Sequence, residues 1–547
     1  MSTPLKIVII GGVAGGMSAA TRARRCNEHA QITVIERSGN ISFANCGLSY
    51  FLDGRIAPKE KLLLTNPKAV AARYRIDARV AQEVLAIDRA AKKVTVRKLA
   101  DASEYSLEYD KLILAPGATP IVPPVANTRA ANVFLVRNME DILAADGYIK
   151  AAKPRQTVII GAGAIGLETA DALTHAGMQV TIVEKADHPL PLMDAEMARS
   201  ITAELATNGV TLIAGDGLKE LQADEKGIVR AVVTESGRNV PADLVIMSIG
   251  GRPNVELAKN SGLKIGPSGA IAVDEYQRTS DPDVYAVGDA AEAVHEVTGK
   301  ASRIALAGPA NRAGRLAGEH AATGSSAQAG KVLGTSIVQV FALGAGMTGL
   351  SESAAKAAGF DADCAYVLPN DHAGYYPGAK QMRIKLVYDK PTGRVLGAQA
   401  VGAAGVDKRL DVIATVIHFR GTVDDLAQLD LAYAPQYGSA KDAIHYAAFV
   451  AQNQRRGLTP SINPRYEIKD MFLVDVRTPT EFGNGTLPGA LNIPVDVLRE
   501  RVGELPEGRK IAVMCQVGMR GHVATRILRE LGYDAVNVKG GYAMSKK

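Results

Sequence analysis

Short apolar runs that stop at glycine recur along the chain, and their spacing predicts strands alternating with helices. Lys6-Ile7-Val8-Ile9-Ile10 reads as a strand, Gly11-Gly12-Val13-Ala14-Gly15-Gly16 as a tight loop, and a helix runs on from Met17. A second strand, Ile32-Thr33-Val34-Ile35, ends in Glu36. Runs apolar at every position suit strands buried on both faces, as in parallel sheets. The pattern returns at Thr157-Val158-Ile159-Ile160, followed by Gly161-Ala162-Gly163-Ala164-Ile165-Gly166, with Glu184 closing the next strand. Further on, residues 382–388 and 395–401, joined through Asp389-Lys390-Pro391-Thr392-Gly393, predict an antiparallel hairpin. From Ala451 the apolar period lapses through Gln452-Asn453-Gln454-Arg455-Arg456-Gly457 to Pro460 and Pro464, which reads as a linker over 451–465. A compact α/β pattern follows: a strand at Phe472-Leu473-Val474-Asp475-Val476-Arg477 and a turn at Leu487-Pro488-Gly489-Ala490. The buried strand Ile511-Ala512-Val513-Met514 then leads into Cys515-Gln516-Val517-Gly518-Met519-Arg520-Gly521 and a helix.

The two glycine loops carry the first chemistry. Each lies between a strand and a helix, so backbone N–H groups and the helix dipole face one point, where a pyrophosphate fits. Gly11, Gly12, Ala14 and Gly15 form the first such loop, and Gly161, Gly163, Ile165 and Gly166 the second. Glu36 and Glu184 are placed to accept hydrogen bonds from ribose hydroxyls. Val13 stands where the usual motif has its middle glycine. Glu184 favours a free 2′-hydroxyl, hence NADH, although Lys185 beside it leaves NADPH open. Two loops imply two dinucleotides.

Cysteine usage changes the picture next. The chain has four, Cys26, Cys46, Cys364 and Cys515, all far apart, which excludes a disulfide framework and points to a reducing compartment. Ser42-Phe43-Ala44-Asn45-Cys46-Gly47 holds one cysteine just after a nucleotide unit, with no second one near it. Cys46 must therefore pair with something from outside: a small thiol, a persulfide sulfur, or oxygen as a sulfenic acid. A helix predicted over 46–51 would start at Cys46 and favour its thiolate. Cys26 and Cys364 lack such surroundings and are read as inert.

These motifs resemble the pyridine nucleotide-disulfide oxidoreductase superfamily over residues 5 to about 450. Tyr109-Asp110-Lys111-Leu112-Ile113-Leu114-Ala115-Pro116-Gly117-Ala118 resembles the family's closing strand of the FAD unit. Ile249-Gly250-Gly251-Arg252-Pro253-Asn254 resembles the closing turn of the NAD unit. Val284-Tyr285-Ala286-Val287-Gly288-Asp289 resembles the strand whose aspartate meets the ribityl chain. The resemblance thus implies FAD in the first unit and NADH in the second. It adds Arg37, Ser42, Asn45, Ala115, Gly117, Gly288, Asp289 and Ala307 to the FAD contacts and Gly250 to the NAD contacts. The single-cysteine motif is similar to coenzyme A-disulfide reductases and water-forming NADH oxidases. His372-Ala373-Gly374-Tyr375-Tyr376-Pro377-Gly378 and Tyr433-Ala434-Pro435-Gln436-Tyr437 favour the first, in which Tyr375 and Tyr433 reach the active cysteine of a partner subunit. His372 reads as structural. Ser18, Arg22, Arg25, Ser42, Asn45, Asn311, Arg312 and Lys441 match positions that hold coenzyme A; Arg22 and Arg25 lie one helical turn apart.

The tail resembles a rhodanese domain through Asp475-Val476-Arg477 and the Cys-x-x-Gly-x-Arg loop, which implies a persulfide carried on Cys515 beside Arg520. The expected fold is α/β: two Rossmann-like FAD- and NAD-binding domains, an α+β dimerisation domain and a C-terminal α/β rhodanese domain. Expected boundaries are 1–150 and 271–330 for FAD, 151–270 for NAD(P)H, 331–450 for dimerisation and 466–547 for rhodanese. The resemblance implies a homodimer that passes electrons from NADH to coenzyme A disulfide, coenzyme A persulfide or polysulfide through Cys46. A water-forming NADH oxidase using a Cys46 sulfenic acid, and an NADH-linked redox sensor or sulfur relay, are the alternatives. The net charge of +6 over 547 residues is too weak for nucleic acid. No apolar run approaches the roughly 18 residues a membrane span needs. No metal site is expected, and the location expected is cytoplasmic.

Overall fold

A computed structural model describes residues 4–463, 468 and 470–545. The chain divides into two compact units, residues 1–191 with 202–334, and residues 192–201 with 335–547.

The first unit contains two five-stranded sheets whose named strands all pair in parallel. One runs Val284–Ala286, Lys111–Leu114, Lys6–Ile10, Gln31–Ile35, Ile76–Arg79. The other runs Thr211–Ala214, Gln179–Glu184, Gln156–Ile160, Leu244–Met247, Val133–Leu135. Their central strands are the two apolar runs that precede the glycine loops, and each loop leaves the carboxyl end of its strand where neighbours lie on both sides, the usual ligand crevice of such sheets. The helix Ala14–Cys26, which begins three residues before Met17, packs on the helix Ala307–Thr323. A Cβ on Gly314 would stand 2.2 Å from the Gly15 carbonyl oxygen, and one on Gly318 2.2 Å from that of Ala19. Backbones this close set the small-residue pattern of both helices.

The second unit holds an antiparallel sheet of five strands, ordered Ser336–Val340, Leu343–Gly349, Val395–Gly402, Met382–Asp389, Ala362–Val367. The expected hairpin is present, with Met382 opposite Gly402. The helix Ala443–Arg455 packs against this sheet. The reading of 451–455 as linker is corrected here: these residues are the last turns of that helix. Ala451 is buried, Gln452 donates to Asp424, and Arg455 pairs with Asp424. Their polarity answers tertiary partners rather than solvent. Pro464 and residues 465–467 lie outside the described residues. A parallel sheet follows, ordered Ser461–Ile462, Ala535–Val538, Ile511–Met514, Phe472–Asp475, Leu491–Asn492.

One strand residue defies its pattern. Lys385 is 1% exposed, and its amine meets Asp194, Glu196 and Glu352. Burial opposes the ionised Glu352 carboxylate, but Lys385 and Lys356 outweigh it and bring its pKa down to about 2.

Candidate functional site

The two glycine loops are built alike. Gly11 and Gly161 have φ of 100° and 104°, the left-handed region open to glycine. A Cβ on them would stand 2.1 Å from the Ala115 oxygen and 2.6 Å from the Ser248 oxygen. Glu36 accepts the Gly12 N–H at 2.6 Å and the Ser38 N–H at 2.8 Å. Glu184 accepts the Ala162 N–H at 2.6 Å and the Ala186 N–H at 2.8 Å. Each carboxylate is thus fixed beside its loop, with lone pairs left for ribose hydroxyls. Lys185, in contrast, is exposed and pairs with Glu235. Arg37 reaches Glu83, also at the surface.

Cys46 is exposed, and its sulfur has no hydrogen-bond partner among the described residues. The helix expected over 46–51 is corrected. Asn45–Gly47 is one 3₁₀ turn, and the α-helix covers only Leu48–Phe51. Three contacts tie this segment to the helix Ala164–His175. Tyr50 donates to Glu168 at 3.0 Å, the Ser49 and Thr169 hydroxyls lie 3.1 Å apart, and Arg55 meets Asp171 at 3.2 Å. Burial raises the pKa of Glu168. Ser42 ties the segment to the first glycine loop, its N–H donating to the Gly12 carbonyl at 2.8 Å.

Arg137 gathers several of the predicted FAD contacts. Its Nη2 is 3.0 Å from Asp289, and its carbonyl accepts from Asn45 at 3.3 Å. The same Nη2 lies 3.4 Å from where a Cβ of Gly117 would be. Asp289 is in a single 3₁₀ turn, Gly288–Ala290, and caps no helix there. Ala307 opens the helix Ala307–Thr323, and its carbonyl accepts from Asn311 at 2.9 Å. Gly250 has φ of 96°, beside the strand Gly251–Pro253 that pairs with Ala118–Pro120.

The expected coenzyme A contacts separate into two groups. Ser18 and Asn311 meet at 2.6 Å across the helix crossing. Arg22 shares a helix face with Arg25, but its guanidinium is held by Glu319 at 2.7 Å. Arg25 and Arg312 are exposed, with no ion pair among the described residues. Lys441 belongs to the second unit, 5.9 Å from the Tyr446 ring. In that unit the hydroxyls of Tyr375 and Tyr433 lie 2.9 Å apart, and both side chains are exposed. The hydrogen bond between the two hydroxyls raises the pKa of Tyr375. His372 is held by Asp371 at 2.8 Å.

Cys515 is buried. Its sulfur accepts the Gly518 N–H at 3.0 Å, just before the helix Met519–Glu530. Arg520 makes two 2.7 Å bonds to Glu481, an engagement the sequence did not reveal. That bond pulls the pKa of Glu481 down to about 2. Arg477, 2% exposed, binds Asp475, the Gln516 side chain and the Gly485 carbonyl, so the Asp-Val-Arg element braces the cysteine loop.

The sequence matches the pyridine nucleotide-disulphide oxidoreductase family over residues 5–314, more than half of the chain. The chain belongs to that family. It also matches the family's dimerisation domain over 335–444 and a rhodanese-like domain over 463–545. It is 37% identical to the Pyrococcus furiosus NAD(P)H sulfur oxidoreductase (CoA-dependent), over 80% of this chain and 97% of that one. The crystal structure of reduced Bacillus anthracis CoADR-RHD superposes with a TM-score of 0.96 at 40% identity, over 100% of this chain and 98% of that one. An NAD-dependent persulfide reductase from A. fulgidus gives 0.94 at 37% identity, over 99% and 100%.

The pyridine nucleotide-disulphide oxidoreductases use FAD and NAD(P)H, and these loops fit both. At Gly163 a Cβ would meet no protein atom within 4 Å, so internal packing does not require a glycine there. The open space suits a dinucleotide on the loop. No helix among the described residues is long and apolar enough to cross a membrane. Cys364 is buried at 3.2 Å from Glu352, and burial pushes its thiol up to about 12. Held as a thiol, it fits the reading of Cys364 as inert. Arg137, Tyr50, Glu168 and Glu481 carry no local signal, because each acts through residues distant in sequence.

Proposed function

We propose that the chain is a homodimeric reductase that passes electrons from NADH to coenzyme A disulfide, coenzyme A persulfide or polysulfide through Cys46, with sulfane sulfur handled by Cys515. The observation that carries this reading is Cys46 itself: one exposed cysteine on a 3₁₀ turn beside the first glycine loop, with no second cysteine to close a disulfide. The names of the relatives, a CoA-dependent sulfur oxidoreductase and a persulfide reductase, support it.

Bound flavin supplies a two-electron link between nicotinamide and sulfur; Gly11, Gly12, Glu36, Asn45, Gly117 and Asp289 would hold it, and Gly161, Gly163 and Glu184 the nicotinamide dinucleotide. Glu184 favours NADH because a 2′-phosphate would face its carboxylate. The chain's own work is at sulfur. The Cys46 thiolate attacks one sulfur of the substrate's S–S bond, forming Cys46–S–S–R and releasing the other half as an anion. Two electrons originating in NADH then return Cys46 to a thiolate and release the second half. Protonated Tyr375, held by Tyr433, donates to the departing thiolate of the partner subunit's site. Ser18, Arg25, Asn311, Arg312 and Lys441 would hold coenzyme A, whose long arm could carry sulfur between Cys46 and Cys515.

Anaerobic NADH oxidation with coenzyme A disulfide tests the reading. Stoichiometric release of coenzyme A thiol that disappears in Cys46→Ser is expected. NADH loss that needs air and ignores the disulfide would instead identify a water-forming oxidase. Slow turnover with every sulfur substrate, beside a stable protein complex, would favour a sensor.

A further inference from the structure

The residues that follow the strand Ala535–Val538 are held from two directions. Inward, they brace the cysteine loop. The Tyr542 N–H donates to the Cys515 carbonyl at 2.7 Å, and the Ala543 N–H to the Gln516 carbonyl at 3.0 Å. A Cβ on Gly541 would stand 2.2 Å from that Cys515 oxygen, so backbone lies directly on backbone. The Arg477 guanidinium lies 4.3 Å from the centre of the Tyr542 ring, and Arg477 also binds the Gln516 side chain. All of these contacts fall within the rhodanese-like match, residues 463–545.

Outward, the same residues are anchored beyond that match. The buried Lys539 ammonium pairs with Asp363, on the strand Ala362–Val367 of the antiparallel sheet. Tyr366, on that strand too, stands 3.3 Å from where a Cβ of Gly540 would be. At the far end the Met544 carbonyl accepts from Arg199 at 2.8 Å, in the stretch 192–201 of the same unit. Only Gly540 and Gly541 separate Lys539 from Tyr542. Both are packed, Gly540 against Tyr366 and Gly541 against the Cys515 carbonyl. A displacement at Lys539 is therefore passed on to the loop rather than absorbed.

We propose that Asp363 is a positioning residue for the Cys515 loop. Through Lys539 and residues 540–543, and with Arg199 steadying the far end, the dimerisation sheet fixes the backbone that aims the Gly518 N–H at the Cys515 sulfur. The rhodanese-like part is then not self-contained, because a strand of another domain sets the shape of its nucleophile's loop. This bears on function through the reading of Cys515 as a sulfur carrier, on which it rests.

The test uses the full-length, flavin-loaded protein and the variants Asp363→Asn, Lys539→Met, their double, and Arg199→Met. Asp363→Asn strands a buried cation, so Lys539→Met is the milder break; it leaves Asp363 the Cys364 N–H at 2.7 Å. Alkylation of Cys515 by iodoacetamide is followed by peptide mass against pH. The charged groups around the loop, Arg520 with Glu481 and Arg477 with Asp475, are untouched by these changes. The profile is read rather than the absolute rate, because a looser loop also admits reagent faster. In Lys539→Met it should move to higher pH by about one unit, about a tenfold loss of thiolate at a given pH, the scale of one charge-assisted hydrogen bond. The double should move it no further, since both changes break one link. Arg199→Met should move it the same way by less. Reduction of the flavin by NADH should stay at the wild-type rate throughout. A wild-type profile in folded Lys539→Met would overturn the assignment, as it would in Arg199→Met where neither pair variant folds. Shifts that sum in the double, or a parallel loss of flavin reduction, would also overturn it, since they mark general loosening. Persulfide on Cys515 is sought by mass on the same samples after incubation with thiosulfate. Its absence in the wild type, beside the expected alkylation profiles, would remove the carrier reading and leave the positioning intact.

Discussion

The two cysteine loops of this chain hold their own sulfur atoms in opposite physical settings. Cys46 is exposed on a short 3₁₀ turn, and its sulfur has no hydrogen-bond donor among the described residues. Cys515 is buried, its sulfur held by a backbone N–H at the start of a long helix, with Arg520 and Glu481 locked together nearby. Preorganised dipoles hold a small anion well, because nothing has to reorganise as charge develops. An open turn leaves room for a large substrate to bring its own sulfur and for a second subunit to supply a proton. The contrast teaches how similar nucleophiles are set apart by what surrounds them; under the proposed function, the open turn suits Cys46 to two-electron exchange with a bulky partner, and the donor-lined loop suits Cys515 to carriage of one sulfur atom.

The sharpest way to break this division is to remove each sulfur in turn. Cys46→Ser should lower NADH-dependent reduction of coenzyme A disulfide by about 10³-fold or more, while thiosulfate still loads Cys515. Cys515→Ser should do the reverse. Equal loss of both activities in either variant would merge the two sites.

Next in size is the tyrosine pair. Tyr375→Phe should slow reduction at Cys46 by about 10²-fold, the usual scale for losing a positioned proton donor. Tyr433→Phe should cost less. The double variant should fall short of the product of the two, because their hydroxyls bond to each other. Rates should be taken at saturating NADH, and loading of Cys515 should not change.

The second unit's buried charges give a stability prediction. Lys385→Met leaves Asp194, Glu196 and Glu352 without their shared cation and should destabilise by about 3–5 kcal/mol. Calorimetry would measure it. The same cluster sets an acid limit. The folded pKa of Glu352, about 2, lies below its ordinary 4.5, so its contribution is present above about pH 4.5 and is lost as pH falls toward 2. Urea unfolding across that range should show the drop in wild type and a shallower one in Glu352→Gln.

The smallest effect expected is at Glu481. Glu481→Gln keeps the hydrogen bonds in part but frees the charge of Arg520, and loading of Cys515 should change by only a few-fold.

Much of the fold was legible in the sequence, because its signals are local. An apolar run that ends in Gly11 or Gly161 forces a tight crossover, and residues 382–401 announce their hairpin by two strand-length runs joined at a glycine turn. The tyrosines, too, were singled out from two short motifs, and the structure places their hydroxyls in contact. Other features were out of reach. Lys385 occupies an ordinary strand position and is buried only because three carboxylates from two other segments converge on it. Residues 451–455 looked like a linker because their polar side chains are matched to Asp424 and to nearby backbone rather than to an apolar face. Arg22 looked free for an anion, and Glu319, brought in by a helix far along the chain, occupies it. Arg137 shows the same limit: it joins Asn45 and Asp289 only once the sheet has formed.

The central claim is that Cys46 performs the reduction and Cys515 carries the sulfur. The most direct test is anaerobic sulfide release from coenzyme A persulfide with NADH, measured in wild type, Cys46→Ser and Cys515→Ser. The account predicts sulfide in wild type, none in Cys46→Ser, and retention in Cys515→Ser when the persulfide is supplied preformed. Sulfide release that survives loss of Cys46, or that needs Cys515 even with the preformed persulfide, would contradict it.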